Sequence, residues 1–154
     1  MKSIDDFINE ALPNVRELFP WDLEEKINSD AELLLLDIRE PYEFHAMHIQ
    51  GALHVPRGIL ESSCEYNYED TIPELVQARE RDVILVCRSG NRSVLAAYTM
   101  QLMGYTQVAS MKTGLRGWND YELPLVNLGG EVMDPDTVEE LMDVGFRSAR
   151  LTAP

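Results

Sequence analysis

The residues best suited to chemistry lie in one short stretch, Cys87-Arg88-Ser89-Gly90-Asn91-Arg92-Ser93. It follows Val83-Ile84-Leu85-Val86, a β-branched and continuously apolar run of the kind that forms a central parallel strand. Behind it, Val94, Ala97, Tyr98, Gln101 and Leu102 fall near helical spacing and predict a helix from Ser93 to Met103, which Gly104 ends. The stretch therefore joins the carboxyl end of a strand to the start of a helix, where open α/β sheets collect ligands. Gly90 and Asn91 tolerate left-handed backbone, so the loop can curl its N–H groups inward into an anion-binding nest. The helix adds the positive end of its dipole, and Ser93 is placed to cap it. Arg88 and Arg92 add two cations, and no Asp or Glu occurs between Val83 and Gly104. Each feature favours the thiolate of Cys87 over its thiol. The chemistry expected is nucleophilic attack by the Cys87 sulfur on a sulfane sulfur, with no proton moved in that step. A persulfide, Cys–S–S⁻, would rest in the same cradle. A cysteine that merely ends a buried strand is the plain alternative, and it leaves the loop unexplained.

The elements needed to position this loop can be read along the chain. Met1 to Asp30 reads as helical and is split by Pro13 and Pro20 into two short helices, the second through Leu23 and Ile27. Leu33-Leu34-Leu35-Leu36, ending at Asp37, reads as a strand buried on both faces. Pro41 then opens a short helix through Phe44 and Met47. Ala52 to Val55 reads as a strand closed by Pro56, and Arg57 to Thr71 as an irregular connection. A helix through Leu75 and Ala78, a strand from Val108 to Met111, and a turn with a short helix from Gly114 to Tyr121 complete the pattern. Strands alternating with helices imply an α/β domain with a mainly parallel sheet. Glu131 to Val144 holds six acidic residues and no basic ones. A helix begun by Asp134-Pro135 through Val138, Leu141 and Met142 is expected there, as a solvated terminal helix packed on the domain, with a docking surface for a basic partner as the alternative. The organisation expected is an N-terminal helical extension over 1–30, a catalytic domain over 31–126 and an acidic helical tail over 127–154.

Composition narrows the function classes. The chain has 154 residues, enough for one domain with its own core. The formal net charge of -14 opposes binding to nucleic-acid backbone or anionic membrane, so neither is an expected partner. No apolar run reaches the length of about 20 residues that a membrane helix needs. Met1 to Glu10 has no basic segment followed by an apolar one, so a cytoplasmic address is expected. The two cysteines are too few for a secreted disulfide framework, although one Cys64–Cys87 bridge is conceivable.

Three stretches together resemble the rhodanese-like domain. Asp37-Ile38-Arg39-Glu40-Pro41-Tyr42-Glu43-Phe44, followed by His48-Ile49-Gln50-Gly51-Ala52-Leu53-His54-Val55-Pro56, is similar to that family's N-terminal signature. Val83 to Ser93 is similar to its active-site strand and loop, and Gly114-Leu115-Arg116-Gly117-Trp118 to its C-terminal signature. Order and spacing match as well as residue type, over about residues 33 to 124. The resemblance implies a three-layer domain with a mainly parallel five-stranded sheet flanked by helices. It also implies a sulfurtransferase in which Cys87 takes sulfur from a small anionic donor such as thiosulfate and passes it to a thiophilic acceptor, an acceptor protein among the candidates. The N–H groups of Arg88, Ser89, Gly90, Asn91, Arg92 and Ser93 would hold the persulfide, and Arg88 and Arg92 would attract the donor. Asp37 and Arg39 match positions that hold the active-site side together, and a salt-bridged structural pair is the simpler reading for them. Thr113 stands where the family often has a second glycine, which is expected to alter only the local turn. No cofactor is implied.

Other readings use the same residues. A Cys-dependent phosphatase or arsenate reductase also places a cysteine, a cradling loop and an arginine before a helix. Here four residues separate Cys87 from Arg92, one fewer than in the phosphatase pattern, and no Asp is placed as the leaving-group acid. A sulfur carrier without turnover, or a redox-sensing module, would keep the same loop. His45, His48 and His54 could suggest a metal site with Cys64 or Cys87, but no Cys-x-x-Cys or His-x-x-x-His pair supports it, so no metal is expected. Cys64 could resolve a persulfide or sulfenic acid on Cys87, but it lies among Glu61, Glu65 and Glu69, which would raise its pKa and favour an inert thiol. Trp118 reads as a core anchor.

Overall fold

The structure, a computed structural model, describes residues 1–144. The rest of the acidic tail, 145–154, lies outside the described residues. Five strands form one parallel sheet: β1 (Arg16–Leu18), β2 (Leu34–Asp37), β3 (Leu53–His54), β4 (Asp82–Val86) and β5 (Gln107–Met111), in the order β1-β5-β4-β2-β3. The two strands with the strongest apolar character, β2 and β4, pair at the centre, Leu34 opposite Val83 through Asp37 opposite Val86. Their side chains alternate between two packed faces, as the period of two demands. Leu34, Leu36, Val83, Leu85 and Cys87 join one core; Leu35, Ile84 and Val86 join the other.

Helices cover both faces, giving the three layers expected. On the first face lie α1 (Ile4–Ala11) and α6 (Asn91–Leu102), which bury Ile8, Ala11, Val94, Ala97 and Met100. The second face is covered by α2 (Pro20–Ser29), α7 (Gly114–Asp120) and α8 (Pro135–Val144), which bury Leu23, Leu115, Trp118, Val138 and Met142. The Asp134 carboxylate accepts from the Thr137 N–H at 3.1 Å and so starts α8. The shorter helices are α3 (Pro41–Ala46), α4 (Leu60–Ser63) and α5 (Pro73–Val76).

Three details depart from the sequence reading. The segment expected to be wholly helical before residue 31 contributes the edge strand β1, whose residues Arg16, Glu17 and Leu18 pair with Ala109, Ser110 and Met111. Three residues between two prolines carry too little alternation to reveal a strand, and its partner lies far along the chain. The main helix begins at Asn91, two residues before Ser93, because Gly90 at φ +94° turns the chain directly into it. Ser93 is therefore inside the first turn and not its cap. The connection after Pro56 is also more ordered than expected, since a 3₁₀ turn over Arg57–Ile59 leads into α4. Gly104, at φ +93°, ends α6 as expected: its N–H reaches Gln101 O at 3.0 Å while the Tyr105 N–H reaches Met100 O at 3.1 Å.

Candidate active site

The loop after β4 folds around Cys87. The Sγ atom accepts from the Gly90 N–H at 3.2 Å and the Ser93 N–H at 3.4 Å, and the thiol lies 3.3 Å from Ser93 Oγ. Among the described residues these are the two backbone donors on the sulfur. The Gly90 and Ser93 N–H groups thus face the sulfur, and Arg88, Ser89, Asn91 and Arg92 complete the loop. The Ser93 hydroxyl donates to Gly90 O at 3.1 Å, and Ser110 from β5 donates to Ser93 Oγ at 2.7 Å. This relay locks the first turn of α6 against the loop, and all four groups are buried. Cys87 itself is 0 % exposed.

A second wall of the loop comes from the segment after β5. The Leu115 N–H donates to Cys87 O at 2.9 Å, and the Arg116 N–H to Arg88 O at 3.0 Å. Gly114 packs so closely that an added Cβ would lie 2.4 Å from the Arg88 carbonyl and 2.5 Å from Ser89 N. Thr113 adopts φ +69°, the left-handed region that a β-branched side chain rarely enters. The threonine at this position thus puts strain directly against the loop, since a Cβ on Gly90 would meet Thr113 N at 3.1 Å.

The N-terminal signature acts at one remove. Among the described residues, neither Asp37 nor Arg39 hydrogen-bonds to Cys87. Arg39, 1 % exposed, donates Nε and Nη2 to the Asp37 carboxylate at 3.0 and 2.9 Å. Its other donors reach Glu43 O at 3.3 Å and Met47 O at 2.6 Å, tying the end of β2 to the carbonyl end of α3. His54 adds a hydrogen bond to Arg39 O at 2.8 Å. His48 and His54 stack on either side of Phe44, at centroid distances of 4.0 and 4.3 Å, so both histidines serve the packing of α3.

What α3 presents to the loop is Glu43, which sequence reasoning had not singled out. Its carboxylate receives both Arg92 nitrogens, at 2.8 and 3.0 Å, and lies 3.8 Å from Arg88 Nη1. Burial pushes the Glu43 carboxyl up, but Arg92, the Glu40 N–H and Arg39 together hold it below the ordinary carboxylate range. The two loop arginines are therefore not uncompensated cations. The carboxylate comes from a helix 49 residues away in sequence, which a local charge count cannot see. A legible sign existed: Pro41 at the first helical position puts Glu43 at N3, facing inward. Ser110 was missed too, although it is the polar residue in the otherwise apolar run Val108–Met111.

Cys64, expected to be inert, is also 0 % exposed and unbridged. Its thiol is pushed up first by burial and secondarily by Glu61 and Glu65, against Tyr105 and Arg79. Burial, more than the acidic neighbours, is the main cause.

This geometry can be set beside known proteins. The family model of the rhodanese-like domain matches residues 20–121. The chain belongs to the rhodanese-like domain family. Its relatives include a sulfurtransferase of Allochromatium vinosum, 34 % identical over 113 residues, which cover 73 % of this chain and 95 % of that protein. A putative sulfur carrier protein of Bacillus subtilis is 32 % identical over 71 % of this chain, which spans about half, 54 %, of that protein's length. Among solved structures, a Rhodopseudomonas palustris protein of unknown function, described as a possible tyrosine phosphatase, aligns with TM-score 0.73 at 27 % identity. That alignment covers 86 % of this chain and 96 % of the other. The polysulfide-sulfur transferase of Wolinella succinogenes shares the fold, with TM-score 0.60 at 24 % identity over 78 % of this chain and 84 % of its own. A sulfurtransferase and a putative sulfur carrier are thus among the relatives of this rhodanese-like domain. Among the described residues, no helix is long and apolar enough to cross a membrane.

Proposed function

We propose that this rhodanese-like domain moves sulfane sulfur through a persulfide on Cys87, from a small anionic donor such as thiosulfate to a thiophilic acceptor. The observation that carries the reading is the pair of N–H donors from Gly90 and Ser93 on Sγ, at 3.2 and 3.4 Å, within a loop that also presents Arg88 and Arg92. The Cys87 thiolate attacks the outer sulfur of thiosulfate. The S–S bond breaks, sulfite leaves with its electron pair, and Cys87–S–S⁻ remains; three negative charges stand on each side. A thiophilic acceptor then takes the outer sulfur and restores the Cys87 thiolate. Arg88 and Arg92, trimmed by Glu43, supply the local positive field that draws an anion to an otherwise acidic protein. Asp37 and Arg39 act by holding α3, and through it Glu43, against the loop.

The phosphatase reading draws on a solved neighbour described as a possible tyrosine phosphatase. Against it stands Arg92, whose fork is already filled by Glu43 and so is not offered to a phosphoryl group. A sulfur carrier that serves one acceptor protein would use the same persulfide, and the two differ only in turnover. Incubation of reduced protein with thiosulfate, followed by intact-mass measurement and cyanide, tests the reading. The expected result is a gain of one sulfur atom on the wild type and none on Cys87→Ser, with release as thiocyanate. Absence of sulfur uptake, together with hydrolysis of p-nitrophenyl phosphate, would move the phosphatase reading to the front.

A further inference from the structure

Two cavities lie beside α2, near the amino ends of β2 and β3 and so toward the sheet edge opposite the cysteine loop. The larger, about 490 Å³, falls within the range of about 300–1,000 Å³ typical of small-molecule sites. The smaller holds about 180 Å³. Ile27 and Gln50 line both, so the two are contiguous. Ile49, Trp118 and Val126 give the larger an apolar floor, and Leu33 and Leu35 do the same for the smaller. Each cavity also has one carboxylate. Glu24, Ile27 and Asn28 share one face of α2 at i, i+3 and i+4, which brings the half-buried Glu24 to the larger cavity. Asp30, just past the helix and also half-buried, lines the smaller. The Glu24 carboxylate has no hydrogen bond or ion pair among the described residues, and the side-chain amides of Asn28 and Gln50 have no partner there either. Asp30 Oδ1 accepts from the Glu32 N–H at 3.0 Å, which leaves Oδ2 available. Among the described residues, no Lys, Arg or His lines either cavity. The nearby cations are engaged elsewhere, Lys26 on Asp82 at 3.1 Å and Arg81 on Glu32 O at 2.6 Å.

We propose that the two cavities together form a binding site for a linear aliphatic diamine or polyamine. One ammonium meets Glu24 and another meets Asp30 Oδ2, each a charge-assisted contact. The methylene chain between them lies across Ile27, the residue common to both cavities. Helical rise from Glu24 to Asp30 separates their backbones by about 9 Å along the α2 axis, a span within reach of a short aliphatic chain. Gln50, which also lines both cavities, offers an amide oxygen to the inner N–H of a longer polyamine. A formal net charge of -14 draws any cation toward this protein. Two carboxylates at a set separation over an apolar floor go further, because they favour a cation with two heads and a greasy middle. The site stands apart from Cys87 and does not rest on the persulfide reading.

The test is calorimetric titration of the full chain with putrescine, cadaverine, 1,6-diaminohexane and spermidine, beside hexylamine and magnesium chloride. At least one of the diamines or spermidine is expected to bind about tenfold more tightly than hexylamine, the effect of one added charge-assisted contact. Glu24→Gln and Asp30→Asn should each remove that advantage, and Asp30→Asn keeps an oxygen for the Glu32 N–H. Glu139→Gln, an exposed acid on α8 that lines neither cavity, should leave the affinity unchanged. A second readout locates the ligand. The chain has two tryptophans, so Trp21→Phe leaves Trp118, 2 % exposed and on the floor of the larger cavity, as the sole reporter. Its emission should shift and saturate at the affinity found by calorimetry. Binding no tighter than that of hexylamine or magnesium, or an equal loss in Glu139→Gln and Glu24→Gln, would show attraction to overall charge alone and overturn the site. Binding that leaves Trp118 emission unchanged would put the amine elsewhere and overturn it as well.

Discussion

Cys64 and Cys87 are both free thiols without solvent exposure, and both belong to the same hydrophobic cluster on one side of the sheet. What surrounds them differs. Cys64 ends α4 beneath Tyr105, whose hydroxyl is itself engaged with Leu75 O at 2.6 Å, and burial pushes its thiol up. Cys87 sits where a strand hands over to a helix, with two N–H donors on sulfur and two arginines in the same loop. Burial alone therefore does not distinguish the two thiols. It disfavours an anion where apolar atoms replace water, and it can cradle one where backbone dipoles and guanidinium groups replace water.

The contrast can be broken most severely at Gly114. A Cβ there would collide with the Arg88 backbone at 2.4 Å, and φ is +62°. Gly114→Ala is expected to cost about 2–4 kcal/mol in denaturant unfolding and to abolish sulfur uptake, because the loop must move. Glu43→Gln comes next. The carboxylate is 7 % exposed, whereas the Arg92 side chain is 31 % exposed, so the loss should be about 1–3 kcal/mol, below that of a fully buried pair. Its pH dependence has a definite sign. The folded carboxyl is held low, so its contribution is present above the unfolded carboxylate pKa and is lost as pH falls through the folded value. Acid unfolding of Glu43→Gln should show a shallower limb in that window than the wild type. Thr113→Gly should stabilise by about 1 kcal/mol, since relief of the left-handed strain exceeds the backbone entropy of glycine. Cys64→Ala should cost about 1 kcal/mol and leave sulfur uptake unchanged, which sharpens the comparison from the other side.

The central strands, the helix behind the loop and the cysteine were legible because each is local. Leu34–Asp37 and Asp82–Val86 are buried runs, and Gly90 announces a sharp turn. What stayed hidden depends on partners far apart in the chain. Arg16–Leu18 becomes a strand only because β5 offers an edge. Glu43 reaches Arg92 from another helix, and the Ser110 hydroxyl matters only because Ser93 lies 2.7 Å away. Ser93 looked like a cap, yet the left-handed Gly90 moved the helix start two residues earlier and turned its N–H toward sulfur. Residue type thus pointed to Cys87 as the candidate, while the groups around it had to be found in three dimensions.

The most direct measurement maps where sulfur lands. Reduced protein is loaded with thiosulfate, digested under conditions that preserve persulfides, and each cysteine peptide is weighed. One added sulfur atom is expected on the peptide containing Cys87 and none on the peptide containing Cys64. Sulfur on Cys64, or on neither cysteine, would contradict it.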